Sequence, residues 1–110
     1  MPSMTKERRV HPRYEMELPV TLRSHGKLIP AACIDISLGG ICVLTEYTEE
    51  LEPGSVEVTI DLSPKLRDVS LPGQVLRRQK GIGQRVAIQF ATPPTPSHKY
   101  LRKFLSQSAN

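Results

Sequence analysis

The sequence predicts an all-β domain that ends in one helix, with the strands forming either an antiparallel barrel or a sandwich. Six short segments alternate apolar and polar residues and are separated by turn signals at regular spacing. The end of the chain changes to the spacing of a helix with one apolar face. A length of 110 residues corresponds to one domain with a single modest core.

The first three predicted strands lie in the N-terminal half. The first begins at Met16, where apolar residues alternate strictly with polar ones. Pro19 lacks an N–H, so we expect it at an edge or an unpaired position. Ser24-His25-Gly26-Lys27 is typical of a hairpin turn. The apolar face predicted for the second strand consists of Leu28, Ala32, Ile34 and Ile36. The break at residues 38–40, before the third strand at 41–45, predicts a second hairpin.

The other three predicted strands follow the same rule. The cleanest alternation in the chain covers residues 56–62. The fifth strand, at 69–76, contains Pro72-Gly73, which predicts a bulge or kink inside it. Residues 80–83 are predicted to turn the chain into the sixth strand, at 86–90.

The C-terminal helix is predicted over about residues 96–107. Thr95 or Ser97 can cap it, and Pro96 suits its first turn. One face is apolar and is expected to pack on the sheet, through Leu101, Phe104 and Leu105. The opposite face is expected to meet water through Lys99, Arg102 and Lys103.

The composition excludes several classes of protein. No apolar run approaches the roughly 20 residues that span a bilayer, and residues 1–9 lack the apolar centre of a secretory signal. We therefore expect a cytoplasmic protein without membrane insertion. Cys33 and Cys42 are the only cysteines, so a zinc site has little support. In a reducing compartment we expect both to be small buried residues rather than a disulfide.

Three arginines precede the first strand, on a segment too polar to be core: Arg8, Arg9 and Arg13. The net charge of +4 is modest, so its concentration in residues 6–13 is the more informative feature. Pro12 disfavours a helical conformation at His11, and an extended or turned segment lets Arg9 and Arg13 converge on one ligand. Guanidinium groups match phosphate oxygens and the O6/N7 edge of guanine. The alternative is a solvated basic N-terminus.

The second motif is DISLGG, residues 35–40. Strand alternation predicts that Asp35 and Ser37 point away from the buried residues between them. A carboxylate at Asp35 can accept from the paired donors of a guanine edge, and Ser37 can donate to a phosphate. Gly40 leaves the backbone free to approach a ligand or to take a positive φ. The alternative is an ordinary turn in which these polar side chains bond the backbone.

Together the two motifs, RxxxR before the first strand and DxSxxG at the end of the second, resemble those of the PilZ domain family. The resemblance covers roughly residues 7–105 and includes the last strand, GIGQRVAIQF. It implies a six-stranded antiparallel β-barrel of the split-barrel type with a C-terminal helix. The implied organisation is a flexible tail and one PilZ-like domain, at residues 1–6 and 7–107, with an arm at 7–14, the barrel at 15–91 and the helix at about 96–107.

In that family the two motifs bind the bacterial second messenger cyclic di-GMP. The resemblance implies that Arg9 and Arg13 clamp guanine and phosphate groups, while Asp35 reads a guanine edge beside Ser37 and Gly40. Arg8 offers a third guanidinium, which favours a stacked ligand dimer. No catalytic residue, metal ligand or cofactor is implied. The ligand is expected to order the N-terminal arm, and the signal to pass to an unidentified effector protein, with the domain a monomer or a ligand-linked dimer.

Three other functions fit the sequence less well. An enzyme is disfavoured because the three histidines, His11, His25 and His98, have no acid–base partner at an obvious spacing. A barrel that binds single-stranded nucleic acid needs aromatic side chains on its strands, and few are present. A protein-interaction module with a non-functional nucleotide site has the same motifs, and only a lack of ligand binding in a folded protein distinguishes it.

Overall fold

The computed structural model describes residues 12–46 and 51–108. In this part of the chain it has seven strands and one helix, and none of its helices is long and apolar enough to cross a bilayer. In chain order the elements are β1 (Tyr14–Glu15), β2 (Pro19–Ser24), β3 (Lys27–Ile36), β4 (Gly40–Thr45), β5 (Gly54–Ile60), β6 (Val69–Gly81), β7 (Gly83–Phe90) and α1 (His98–Ser108).

The strands form one antiparallel sheet that closes on itself. Its order is β1-β3-β2-β5-β6-β7-β4, and β4 also pairs with β3. Six strands therefore make a closed barrel, and the two-residue β1 extends the sheet at the end of β3. Closure removes the exposed edges that an open sheet would leave. The prediction of a six-stranded antiparallel barrel with a C-terminal helix is confirmed, and the sandwich is excluded.

The core is the barrel interior, capped by α1. Residues that alternate along β2, β5 and β7 point inward, as their sequence pattern predicts, and their most buried members are Leu22, Val58, Ile60, Val86 and Ile88. Leu101 and Leu105 of α1 are also buried, and Phe104 packs against the same cluster. Lys99, Arg102 and Lys103 are exposed, so the predicted faces of the helix are confirmed.

The apolar face predicted for the second strand is wrong at Leu28, Ala32 and Ile34 and correct only at Ile36. Leu28 is 63% exposed, whereas Ile29 and Cys33 are each 1% exposed. The phase then changes, because the register between β3 and β4 shifts between Cys33 and Asp35. Ile34 is the extra residue, and beyond it Ile36 points inward. A bulge turns the following side chains to the other face, so no single alternation describes this strand.

The bulge predicted at Pro72-Gly73 is also in the wrong place. Gly73 pairs regularly with both β5 and β7, and the register shift in β6 lies between Val75 and Arg77. The N and the C=O of a strand residue point to the same side, and the carbonyl of Pro72 accepts from the N–H of Ala91, at 2.9 Å, one residue beyond the last β6–β7 pair, Gly73–Phe90. The missing N–H of the proline therefore removes no bond from the ladder.

The first predicted strand is interrupted. It begins at Pro19 rather than Met16, and β1 forms a separate pair of bridges to β3. Between them, the N–H of Met16 donates to the carbonyl of Ile34 at 3.3 Å, and the N–H of Cys33 donates to the carbonyl of Leu18 at 2.8 Å. Pro19 pairs with β3 only, since the β2–β5 register begins at Val20, which agrees with its expected edge position.

The corrected phase of β3 predicts very different costs for two neighbouring truncations. Ile29→Ala should lower the free energy of unfolding by about 2–5 kcal/mol, because it leaves a cavity in the core. Leu28→Ala should change it by less than about 0.5 kcal/mol, because that side chain is mostly in water. Urea unfolding followed by circular dichroism measures both. Equal losses in the two variants would contradict the observed register.

Candidate ligand-binding site

A cavity of about 440 Å³ lies on the outer surface of the barrel, beside β3, β4, β7 and β6. The structure brings four of the six predicted site residues together there: Arg13, Asp35, Ser37 and Gly40. Arg8 and Arg9 lie outside the described residues. Arg13 of the first motif therefore meets the second motif, far from it in sequence, at one cavity.

Arg13 and Asp35 form an ion pair at this cavity. The pairing of β1 with β3 places Glu15 opposite Asp35, which holds Arg13 close to the carboxylate. Nε of Arg13 donates to Oδ1 of Asp35 at 2.8 Å, and Nη2 donates to the same oxygen. Their side chains are 30% and 26% exposed, so the pair remains open to solvent and to a ligand. No donor in residues 12–46 or 51–108 bonds the other carboxylate oxygen.

Ser37 holds the turn between β3 and β4. Its hydroxyl oxygen accepts from the N–H groups of Gly39 and Gly40 at 3.1 and 3.2 Å. Its own N–H donates to the carbonyl of Gly40 at 2.8 Å. The side chain is only 3% exposed, so this hydroxyl fixes the turn that forms one end of the cavity. A contact from Ser37 to a phosphate stays a prediction.

Gly40 is required by the neighbouring strand. Of the two roles considered for it, a positive φ is not the one, since Gly40 does not adopt that conformation. Gly40 pairs with Gln89, and a Cβ at position 40 would collide with the carbonyl oxygen of Ile88. The glycine therefore lets β7 pass directly against the start of β4, which brings both strands to the cavity wall.

Two further contacts hold the same turn, and the sequence did not reveal either. The N–H of Phe90 donates to the carbonyl of Gly39 at 2.9 Å. Nε2 of His98 lies 2.6 Å from the carbonyl oxygen of Leu38, so the imidazole must carry its proton there and donate. His98 is 7% exposed, and its ring meets Phe90 edge to face at 6.1 Å. The turn is thus tied to both β7 and α1.

Sequence reasoning also missed the opposite wall of the cavity, formed by Leu76, Arg77 and Gln89. Arg77 points outward because of the register shift at Leu76, which local alternation does not reveal. The available signal was the Arg77-Arg78 pair directly after an apolar strand. Guanidinium groups therefore line both sides of the cavity, Arg13 on one side and Arg77 on the other.

The comparisons with known proteins agree with this architecture. The PilZ domain family matches residues 7–107. The chain belongs to the PilZ domain family. Over 100 residues, this PilZ domain is 32% identical to the UDP-forming cellulose synthase catalytic subunit of Xanthomonas axonopodis pv. citri (strain 306). The match covers 90% of this chain and only 13% of that protein.

Solved PilZ structures share the fold at low sequence identity. The Bacillus subtilis inhibitor of motility, MotI/DgrA, superposes with a TM-score of 0.74 at 20% identity, covering 94% of this chain and 52% of that one. The PilZ domain of YcgR from Escherichia coli, a structure with c-di-GMP, gives a TM-score of 0.73 at 15% identity, covering 91% and 90%. At these identities the similarity establishes the barrel and its helix.

The two cysteines of this PilZ domain are free thiols on opposite faces of the barrel wall. Cys33 is in the core. Cys42 precedes the buried Val43 in β4, so its side chain points outward, and it lines the cavity. Burial raises the pKa of the Cys33 thiol to about 12, and the charge of Asp35 adds to the effect. Burial also raises the pKa of Cys42, against the opposing guanidiniums of Arg85, Arg13 and Arg77.

Replacing Gly40 tests the close approach of the strands. Gly40→Ala should lower the free energy of unfolding by about 1–3 kcal/mol, because the backbone of β7 must move to admit the methyl group. Gly81→Ala is the matched control, since a Cβ at that position meets nothing within 4 Å. Urea unfolding compares the two variants. A Gly40→Ala protein as stable as the Gly81→Ala protein would show that β7 does not need the glycine.

The raised pKa of Cys33 predicts a loss of stability at high pH. In the unfolded chain the thiol ionises near 9.0, and in the fold near 12, so the fold favours the protonated thiol. The corresponding stability is complete below pH 9.0 and is lost as pH rises toward 12. Cys33→Ala should therefore lose less Tm than the parent protein between about pH 8 and about pH 10.5. Parallel Tm curves for the two proteins would contradict the assignment.

Proposed function

We propose that this PilZ domain is a receptor for cyclic di-GMP and acts without catalysis. The observation that carries the proposal is the Arg13–Asp35 pair at the mouth of the cavity, with both motifs of the family converging there. Cyclic di-GMP has two phosphates and two guanines. Guanidinium donors and a carboxylate acceptor are the complement that these groups require. The structure of the YcgR PilZ domain with c-di-GMP supports the same ligand class.

Ligand binding changes the partners of Arg13 and Asp35. In the free protein, Nε and Nη2 of Arg13 both donate to the same carboxylate oxygen of Asp35. A guanine edge that donates to Asp35, and a phosphate that accepts from Arg13, offer each group a partner of the opposite kind. The pair is about a quarter to a third exposed, and such pairs contribute only about 0–1 kcal/mol. Little stability is therefore lost when the ligand replaces these contacts.

Arg8 and Arg9 complete the proposed site from the N-terminal side. Arg9 precedes Arg13 by four residues, and four extended residues span at most about 14 Å. An arm of this length allows both guanidiniums to reach a ligand in the cavity. Ordering the arm costs about 1–2 kcal/mol per residue, and charge-assisted hydrogen bonds of about 1.5–3 kcal/mol each offset it. We infer that several arginine contacts act together.

We infer that the signal leaves through an effector protein that recognises the ordered arm. No group of three or more potential metal ligands is found in the described residues. An arm ordered over the ligand makes a composite surface, part protein and part nucleotide, that a partner can recognise. A cytoplasmic location follows from the ligand class in this proposal.

Single-stranded nucleic acid is a less suitable ligand for this surface. Binding of that kind relies on bases stacking on aromatic side chains. The aromatics of the described chain are Tyr14, Phe90, Tyr100 and Phe104, and none of them lines the cavity. The remaining alternative, an interaction module with a non-functional nucleotide site, is an outcome of the titration below.

Calorimetric titration with cyclic di-GMP tests the receptor function. We expect selective binding over GTP, and a loss of affinity of roughly 10- to 100-fold in Arg13→Ala and in Asp35→Ala, because each removes a charge-assisted contact. Arg23→Ala removes an exposed arginine of β2 that lines no part of the cavity, and its affinity should match the parent protein. Circular dichroism confirms that each variant is folded. No heat and no thermal shift with the folded parent protein would refute the receptor function and favour the interaction module.

A further inference from the structure

A second cavity, of about 480 Å³, adjoins the first one on the outer surface of the barrel. The two cavities share Cys42, Leu76, Arg77 and Ala87. Arg78, Gln79 and Arg85 line only the second one. The candidate site is therefore one half of a longer depression that continues along β6 and β7, away from the Arg13–Asp35 pair.

The depression exists because small side chains lie at its floor. Cys42 and Ala87 are direct cross-strand partners in β4 and β7. Ala87 is also the partner of Arg77 in β6, while Arg85 lies two residues before Ala87 on the same face. Arg77 and Arg85 are thus diagonal neighbours, roughly 7–8 Å apart between strands, with only a thiol and a methyl group beneath them.

The positive charge at this place has no described counterpart. Neither Arg77 nor Arg85 forms an ion pair with an acid in residues 12–46 or 51–108. The sequence contains no Asp or Glu after Asp68, so the β6–β7 hairpin is uniformly basic. Arg78 lines the same cavity, but its guanidinium already donates to the carbonyl of Leu51. Like charges on one face of a sheet are unfavourable, which indicates that an anion is the natural occupant.

We propose that Arg77 and Arg85 form a phosphodiester-binding subsite above the Cys42–Ala87 pair. The subsite continues the Arg13–Asp35 cavity, so one ligand surface carries an acid at one end and the guanidiniums of Arg13, Arg77, Arg78 and Arg85 along its length. The occupant rests on the proposed function: it is either the second phosphate of the cyclic dinucleotide already bound at Arg13, or a phosphate of a second copy. Both sources present the same chemistry to Arg85.

Arg85→Gln is the decisive variant, because Arg85 lines the second cavity but not the first. Arg23→Gln is the matched control, since it removes the same charge from another exposed strand position. In titrations with cyclic di-GMP, we expect Arg85→Gln to weaken binding about three- to tenfold, or to halve the stoichiometry, while Arg23→Gln stays within about twofold. Weaker binding at one ligand per chain identifies the second phosphate of the same molecule. A change from two ligands to one identifies a second copy. Arg85→Gln behaving like Arg23→Gln would overturn the subsite.

A second measurement separates this inference from the receptor function. Inorganic phosphate is titrated into ¹⁵N-labelled protein while the arginine Nε–H resonances are followed. The subsite predicts larger shifts for Arg77 and Arg85 than for Arg23. If the parent protein binds no cyclic di-GMP, the receptor function fails and this titration decides the subsite alone: selective shifts support it, and equal shifts at all three arginines overturn it.

Discussion

The rest of the structure depends on one register shift, at Ile34 in β3. Before it, Ile29 and Cys33 point into the barrel, and unbroken alternation would direct Asp35 there as well. An unpaired carboxylate in that core would be strongly unfavourable. The extra residue instead places Ile36 in the core, with no exposed surface, and leaves Asp35 outside beside Arg13. One irregularity thus reconciles a packed core with a charged site on the same strand.

The opposite wall uses the same device. In β6, Leu71 and Gly73 are buried, and unbroken alternation would carry Arg77 inward. The shift at Leu76 turns Arg77 outward, to the Ala87 position of β7, and Arg78, which follows it, stays exposed and donates to the carbonyl of Leu51. The cavity therefore lies between two bulges in strands that are not neighbours. Each bulge exposes one charged side chain without leaving a charge in the core.

The sequence predicted those features that depend on local pattern. Alternation located the barrel strands, helical spacing located the buried face of α1, and the two motifs identified Arg13 and Asp35, which meet as an ion pair. What it could not predict depends on contacts between distant strands. Neighbouring apolar residues such as Leu28 and Ile29 leave the phase of a strand ambiguous until its partner is known. Position 40 requires glycine because a Cβ there would collide with the carbonyl oxygen of Ile88. Arg77 reaches the cavity because of the register shift in β6.

One end of the site is held in place by the fold itself. The turn after β3 is fixed internally by the Ser37 hydroxyl, on one side by the N–H of Phe90, and on the other by His98. Groups held in this way lose little conformational freedom when a ligand arrives. On the other side of the cavity, Arg13 is held by its ion pair with Asp35. In the proposed receptor, affinity therefore depends mainly on how many guanidinium contacts offset the cost of ordering the arm, since the turn is already in place.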